Sequence, residues 1–366
     1  MRIRPHVHVA LVLATASSAA FTLGACPPED TGDGTTDPTS DPTRPPDATA
    51  QDTSDDTTPP DDTTPPDDTT PIDTTGGTAP ADNVAFTGTF PGDLGGYREV
   101  TLTLGGAART VGLYRPANAP AHPALFVAFH GTGGDPSNFL DEAGLRGFAD
   151  RSGVVIAAPQ ALERNGGQGE PGDPDHYAGG DGFYGTSWNM TTGDATTNND
   201  LLLVRAIIQA ARNAWGADSD HVYALGHSNG AFFSYHAAMA LRDRIAGFAE
   251  NAGGAIRCAH RDASGAQFVG TGTTCAALAT QAGYPTCDGP LKPIAPPSGR
   301  VPWGFLAHHN DDDIVSVAWT CTLASALGAR AQTYLKGRDD NSWGHSVVDG
   351  FADRAWAYLS QRSRTD

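Results

Sequence analysis

The chain has 366 residues, with 23 Lys and Arg against 42 Asp and Glu, a formal charge of −19. The acidity is uneven: residues 1–26 carry +2, residues 27–82 carry −14 and residues 83–366 carry −7. No basic patch is present to displace counterions, which excludes nucleic acid as a partner. No apolar run of about 20 residues follows the N-terminus, which excludes a multi-span membrane protein.

At the N-terminus Arg2 and Arg4 precede an apolar, small-residue stretch, Val7–Leu23, that closes on Leu23-Gly24-Ala25-Cys26. The pattern is that of a secretory signal, residues 1–26, ending in a lipidated cysteine; an ordinary signal cleaved after Ala25 is the alternative. Export is expected either way, with Cys26 as the lipid anchor and the only membrane contact. Residues 27–82 contain 16 Thr, 12 Pro and 15 Asp or Glu, and Ile72 is their only large apolar side chain. Such a segment cannot bury enough surface to offset its ordering entropy, so a disordered, proline-stiffened tether is expected. Residues 83–366 remain as one domain, expected to act as a monomer.

Within that domain Tyr97–Leu104 and Ala108–Arg115, joined by Gly105-Gly106, predict a hairpin. Ala124–His130 and Val154–Ala158 are short unbroken apolar runs, as strands covered on both faces require. Leu201–Trp215 carries a helical stripe. A strand at His221–Leu225, a helix from Asn229, strands at Ile245–Glu250 and Val301–Ala307, a helix over Val315–Leu327, a strand at Ala331–Leu335 and a last helix, Phe351–Leu359, complete the series. Strands alternating with helices predict an α/β domain with a mostly parallel sheet and helices on both faces. Cys258, Cys275, Cys287 and Cys321 lack any CxxC spacing, which argues against zinc. In an exported chain they predict two disulfides, with three pairings open.

The chemistry gathers at Gly226-His227-Ser228-Asn229-Gly230. This G-x-S-x-G follows an apolar strand and opens a helix, the arrangement a nucleophile elbow needs. The helix N-terminus then offers free N–H groups to a developing oxyanion. His130-Gly131-Thr132-Gly133-Gly134 follows an earlier strand, where a second oxyanion donor belongs, so the amides of Thr132 and Asn229 are the expected pair. Past Val301–Ala307 stands His308-His309-Asn310-Asp311-Asp312-Asp313, and one of the three carboxylates is expected to orient a histidine. A metal site among these residues is the weaker reading, because sequence neighbours rarely converge on one ion. His345, after the last strand and before the last helix, is the expected base.

With these residues in place, Asn199–Gly254 resembles the secreted esterases grouped as polyhydroxybutyrate depolymerases and feruloyl esterases. The resemblance rests on a D-x-x-x-V-Y-x-x-G-x-S-N-G-G core, an H-G oxyanion turn, an H-G-x-x-D-x-x-V acid loop and a late G-x-H, and it runs from about Val111 to Leu359. It implies an α/β-hydrolase fold and puts Asp312 in the acid's place, because Val315 follows three residues later. The chain departs from the pattern at Ala231, where the family has a second glycine, at His309, where the acid loop has glycine, and at Trp343, which precedes the histidine.

The resemblance implies acyl transfer by Ser228, His345 and Asp312 without cofactor or metal, on an ester substrate. Aromatics on glycine-rich loops (Tyr177, Phe183, Tyr184 and Trp188, with Trp343 near the histidine) predict stacking on a planar acyl group or a sugar. Trp188 and Trp343 are the expected substrate contacts, and a feruloyl or acetyl ester of plant polysaccharide is the expected substrate. A polyester depolymerase, a non-catalytic binding module and a serine peptidase of the same fold are the competing readings.

Overall fold

The folded part begins with paired strands. After β1 (Phe86–Thr87), β2 (Gly96–Leu104) and β3 (Ala107–Arg115) form the expected antiparallel hairpin across Gly105 and Gly106, both at positive φ. β4 (Leu125–Phe129) leads to two helices absent from the sequence reading, α1 (Pro136–Glu142) and α2 (Leu145–Ser152), and then to β5 (Val155–Pro159). At seven and eight residues these helices are too short for a 3.6-residue stripe to stand out. Local signals hold them instead: the Asp135 side chain caps α1 at Asn138 N, and left-handed Gly144 and Gly153 bound α2.

A short antiparallel pair, β6 (Leu162–Arg164) and β7 (Gly185–Ser187), precedes α3 (Asn199–Trp215). There follow β8 (Val222–His227), α4 (Asn229–Ala240), β9 (Gly247–Asn251), α5 (Cys275–Ala279), β10 (Trp303–His309), α6 (Val317–Leu327), β11 (Ala331–Lys336) and α7 (Phe351–Leu359). β10 runs two residues beyond the expected Val301–Ala307, so His308 and His309 are buried strand residues rather than loop residues. This computed structural model describes residues 84–164, 185–190, 193–254, 268–285, 300–337 and 344–366. Cys26, the 27–82 tether, Tyr177, Phe183, Tyr184, Cys258, Cys287 and Trp343 lie outside the described residues.

Among the described residues nine strands form one sheet in the order β1-β2-β3-β5-β4-β8-β9-β10-β11. It is antiparallel from β1 to β5 and parallel from β5 to β11. The apolar strands divide their side chains by the period of two. Leu125, Val127 and Phe129, with Val155, Ala157, Val222 and Ala224, face a core shared with α3, α4 and α6. Phe126 and Ala128, with Ile156, Ala158, Tyr223 and Leu225, face a second core shared with α1, α2 and α7. Each fully buried Leu or Phe contributes about 1.5–3 kcal/mol, so helices must cover both faces. Cys275 and Cys321 form a disulfide that ties α5 to α6.

Candidate active site

β8 ends where Gly226 and Gly230 bring two chain segments into contact. A Cβ on Gly226 would lie 2.1 Å from Gly230 O, and one on Gly230 would lie 2.0 Å from Phe129 O. Only glycine fits at either place, which is the physical content of the G-x-S-x-G spacing. Between them Ser228 takes φ 54° and ψ −123°, a strained conformation for a residue with a side chain. Its amide donates to Asn251 O at 3.0 Å, which holds the turn against β9. Ala231, the departure from the double glycine, is accommodated by Gly253, where an added Cβ would sit 2.6 Å from Ala231 Cβ.

Two side chains from later in the sequence reach Ser228. His345 Nε2 lies 2.9 Å from Ser228 Oγ, and His345 Nδ1 lies 2.7 Å from Asp312 Oδ2. A carboxylate accepts, so Nδ1 donates and Nε2 is left to accept from the serine hydroxyl. Asp312 is fully buried, and its other oxygen accepts from Ile314 N at 2.8 Å and Val315 N at 2.9 Å. Burial alone would push this carboxyl up; the hydrogen bonds and charges of His308 and His345 outweigh it and hold the group well below the usual carboxylate range. Gly344 is required beside this loop, since a Cβ there would lie 2.6 Å from Asp311 O.

The loop expected to supply the second amide passes close to the serine: a Cβ on Gly131 would lie 3.4 Å from Ser228 Cβ. Gly133, at φ 72°, and the Gly134 N to Gly131 O bond of 3.1 Å shape its turn around Thr132. Asn229 opens α4, so its amide is one of those a helix start leaves without an intrahelical acceptor. Behind the loop His130 Nε2 accepts from Ala161 N at 3.1 Å, which leaves Nδ1 to donate to Gly131 O at 2.7 Å. Burial lowers the pKa of this ring and keeps it neutral.

Trp188 is not a substrate contact. It is fully buried, stacked on Phe233 at 5.1 Å between ring centroids and set edge-on to Phe129. Its indole Nε1 donates to His130 O at 2.9 Å and its amide donates to Asn229 Oδ1 at 2.9 Å, so one residue braces both arms of the site. Its glycine-rich setting in the sequence predicts an exposed loop, which the fold does not bear out. The following residue is anchored as well: Asn189 N donates to Asp200, whose other oxygen pairs with Arg109 at 2.7 Å in a buried ion pair.

Asn251 is a further residue of the site that none of the sequence motifs marks. Its Oδ1 accepts from Val348 N, and its Nδ2 donates to Ser346 O and to His227 Nδ1, so it links the serine turn to the His345 loop. A polar residue closing the apolar strand Gly-Phe-Ala-Glu-Asn was the available signal. His227 is pushed down to about 3 by burial and by the neighbouring His345 ring, 5.0 Å away, and stays neutral. Among the described residues no group of three His, Cys, Asp or Glu is placed to hold a metal ion.

This strand order, with a serine on a strained turn after β8 and an acid and a histidine on loops after β10 and β11, defines the α/β-hydrolase fold. No family model matches the chain. It is similar to the bifunctional acetylxylan esterase/xylanase XynS20E of Neocallimastix patriciarum, 28% identical over 148 residues, 40% of this chain and 18% of that protein. It is also similar to NocK of Nocardia uniformis subsp. tsuyamanensis, 29% identical over 159 residues, 43% of this chain and 40% of that one. The chain thus spans less than half the length of the curated relatives it matches. Among solved structures, an acetyl xylan esterase from Aspergillus awamori superposes with a TM-score of 0.46 at 16% identity, over 69% of this chain and 94% of the other.

Proposed function

We propose that this protein is an exported serine carboxylic-ester hydrolase that removes acyl groups, acetyl first, from a polysaccharide. The observation that carries the chemistry is the hydrogen-bond chain from Ser228 Oγ through His345 to Asp312, set on a strained elbow. Ser228 Oγ attacks the ester carbonyl as His345 Nε2 takes its proton. Asp312 holds the ring's tautomer and balances the imidazolium, and the proton then passes to the leaving alcohol. The amides of Thr132 and Asn229 receive the oxyanion, each contributing about 3 kcal/mol to the transition state. Water repeats the sequence on the acyl-enzyme. The ground for acetyl is the similarity to an acetylxylan esterase. A feruloyl group fits less well, because Trp188 is withdrawn into the core and leaves the aromatic set.

Residues 1–26 export the chain in this reading, Cys26 anchors it through lipid, and residues 27–82 hold the enzyme away from the membrane.

The test is a rate comparison on acetylated xylan, methyl ferulate, a hydroxybutyrate oligomer, a long-chain triglyceride and a peptide anilide. Fastest release from acetylated xylan, abolished in a folded Ser228→Ala variant, is the expected result. Preference for methyl ferulate or for the oligomer moves the substrate assignment. Preference for the anilide, or undiminished rates in Ser228→Ala, overturns the reading itself.

A further inference from the structure

His227 stands immediately before Ser228, and the proposed mechanism makes no use of its side chain. Its hydrogen-bond partner fixes where the ring hydrogen sits. Asn251 Oδ1 accepts from Val348 N at 2.9 Å, and a backbone N–H only donates. Asn251 Nδ2 therefore faces Ser346 O and His227 Nδ1, each at 2.9 Å. An amide NH2 donates and does not accept, so His227 Nδ1 is bare and receives that hydrogen. The ring is neutral, because burial and the neighbouring His345 lower its pKa to about 3. Its single hydrogen is then on Nε2.

That Nε2–H has no acceptor among the described residues, and His227 keeps part of its surface open. The free edge faces the cleft. Cδ2, the carbon bonded to Nε2, would lie 3.8 Å from a Cβ placed on Gly131, in the turn that carries Thr132. The ring centroid is 5.0 Å from that of His345. His227 thus has the proposed oxyanion turn and the proposed base as neighbours. In the proposed reaction the carbonyl oxygen of the ester goes to the Thr132 and Asn229 amides. The alkoxy oxygen goes to His345 Nε2, which returns the proton to it. A donor beside both groups adjoins the alcohol half of the ester. An acetyl group carries no polar atom besides its carbonyl oxygen, so a further acceptor has to come from the alcohol.

We infer that His227 is a specificity-determining donor: its Nε2–H binds a hydroxyl oxygen next to the scissile ester on the leaving alcohol. It thereby selects esters of vicinal diols, as found on a sugar ring, over esters of simple alkanols. An alcohol without that oxygen leaves the N–H unpaired as the cleft fills, and an unpaired polar group is what rejects the wrong substrate. This assignment rests on the proposed esterase reading and names the alcohol that the same site prefers.

The test compares kcat/KM for trans-2-hydroxycyclohexyl acetate and cyclohexyl acetate, each divided by its rate with hydroxide. The two alcohols differ only in the neighbouring hydroxyl. The wild type is expected to prefer the hydroxy ester by about tenfold or more. His227→Asn keeps an acceptor for Asn251 and has no donor at the Nε2 position, and it is expected to bring the ratio to about one. His227→Gln carries an N–H to that position and is expected to retain part of the preference. The ratio does not depend on how much of a variant folds. A wild-type ratio near one, or a ratio that His227→Asn leaves unchanged, overturns the inference, while hydrolysis of both esters leaves the esterase reading standing. Equal loss of preference in the two variants marks lost packing and overturns the donor assignment. A wild type that cleaves neither ester overturns the proposed function and the inference together. In the full chain labelled with 15N-histidine at pH 7, with His227→Asn used for assignment, His227 is expected to carry its hydrogen on Nε2 alone. A hydrogen on Nδ1 overturns the inference whether or not the protein hydrolyses esters.

Discussion

Three adjacent aspartates end up in three environments, and that separates their roles. Asp312 is buried against His345, whereas Asp313 is exposed. Asp312→Asn is expected to lower kcat by about 10⁴, because an amide stabilises the wrong histidine tautomer. Asp313→Asn is expected to stay within a few-fold, so comparable losses in an ester assay would contradict the proposed roles. A second buried carboxyl has the opposite sign of pH dependence. Asp312 is held low, so the stability it contributes is present at neutral pH and lost as pH falls through its depressed pKa. Glu250 has only a poorly formed contact with the Gly254 amide, and burial raises it, so it destabilises the fold as pH rises past the ordinary carboxylate range. Each pH unit in that window costs about 1.4 kcal/mol until the group ionises. Glu250→Gln should therefore raise Tm at pH 8 and leave it unchanged at pH 4, which thermal denaturation at the two pH values checks.

Between the elements, a buried indole ties together the two segments proposed to supply the oxyanion amides. The Trp188 side chain and amide bond His130 O and the Asn229 side chain at 2.9 Å each. Trp188→Phe keeps the stacking on Phe233 and deletes the indole donor, leaving a buried carbonyl unpaired at a cost of about 1–3 kcal/mol. The expected signature is a lower Tm together with a fall in kcat of roughly tenfold at little change in KM, since the arms act on the transition state. A rise in KM alone would return Trp188 to the substrate pocket.

For the molecule as a whole, the α5–α6 disulfide closes a loop with a sequence separation of 46 residues. Removing it by Cys275→Ser with Cys321→Ser is expected to lower unfolding stability by about 2–4 kcal/mol, read as a shift in the denaturant midpoint. No change would mean that the bridge constrains little of the unfolded chain. The proposed anchor is separable from this domain: Cys26→Ala should release soluble enzyme with unaltered kcat/KM, because every residue of the proposed mechanism lies beyond position 82. Mass spectrometry that finds no lipid on Cys26 of the native protein would reject the anchor and leave the chemistry standing.

The alternation of apolar strands with helices, the hairpin at Gly105-Gly106 and the glycine–serine turn were all legible in the chain, because each depends on neighbours within a few residues. So was the order serine, acid, histidine. The resemblance had already put Asp312 in the acid's place through its spacing to Val315; folding alone drew Trp188 inward and paired Cys275 with Cys321. Those outcomes depend on contacts between residues far apart in the chain, such as the separation of 117 between Ser228 and His345. Local periodicity carries no information about such contacts, and the side-by-side order of β8, β9, β10 and β11 in one parallel sheet is what brings the partners within hydrogen-bonding distance.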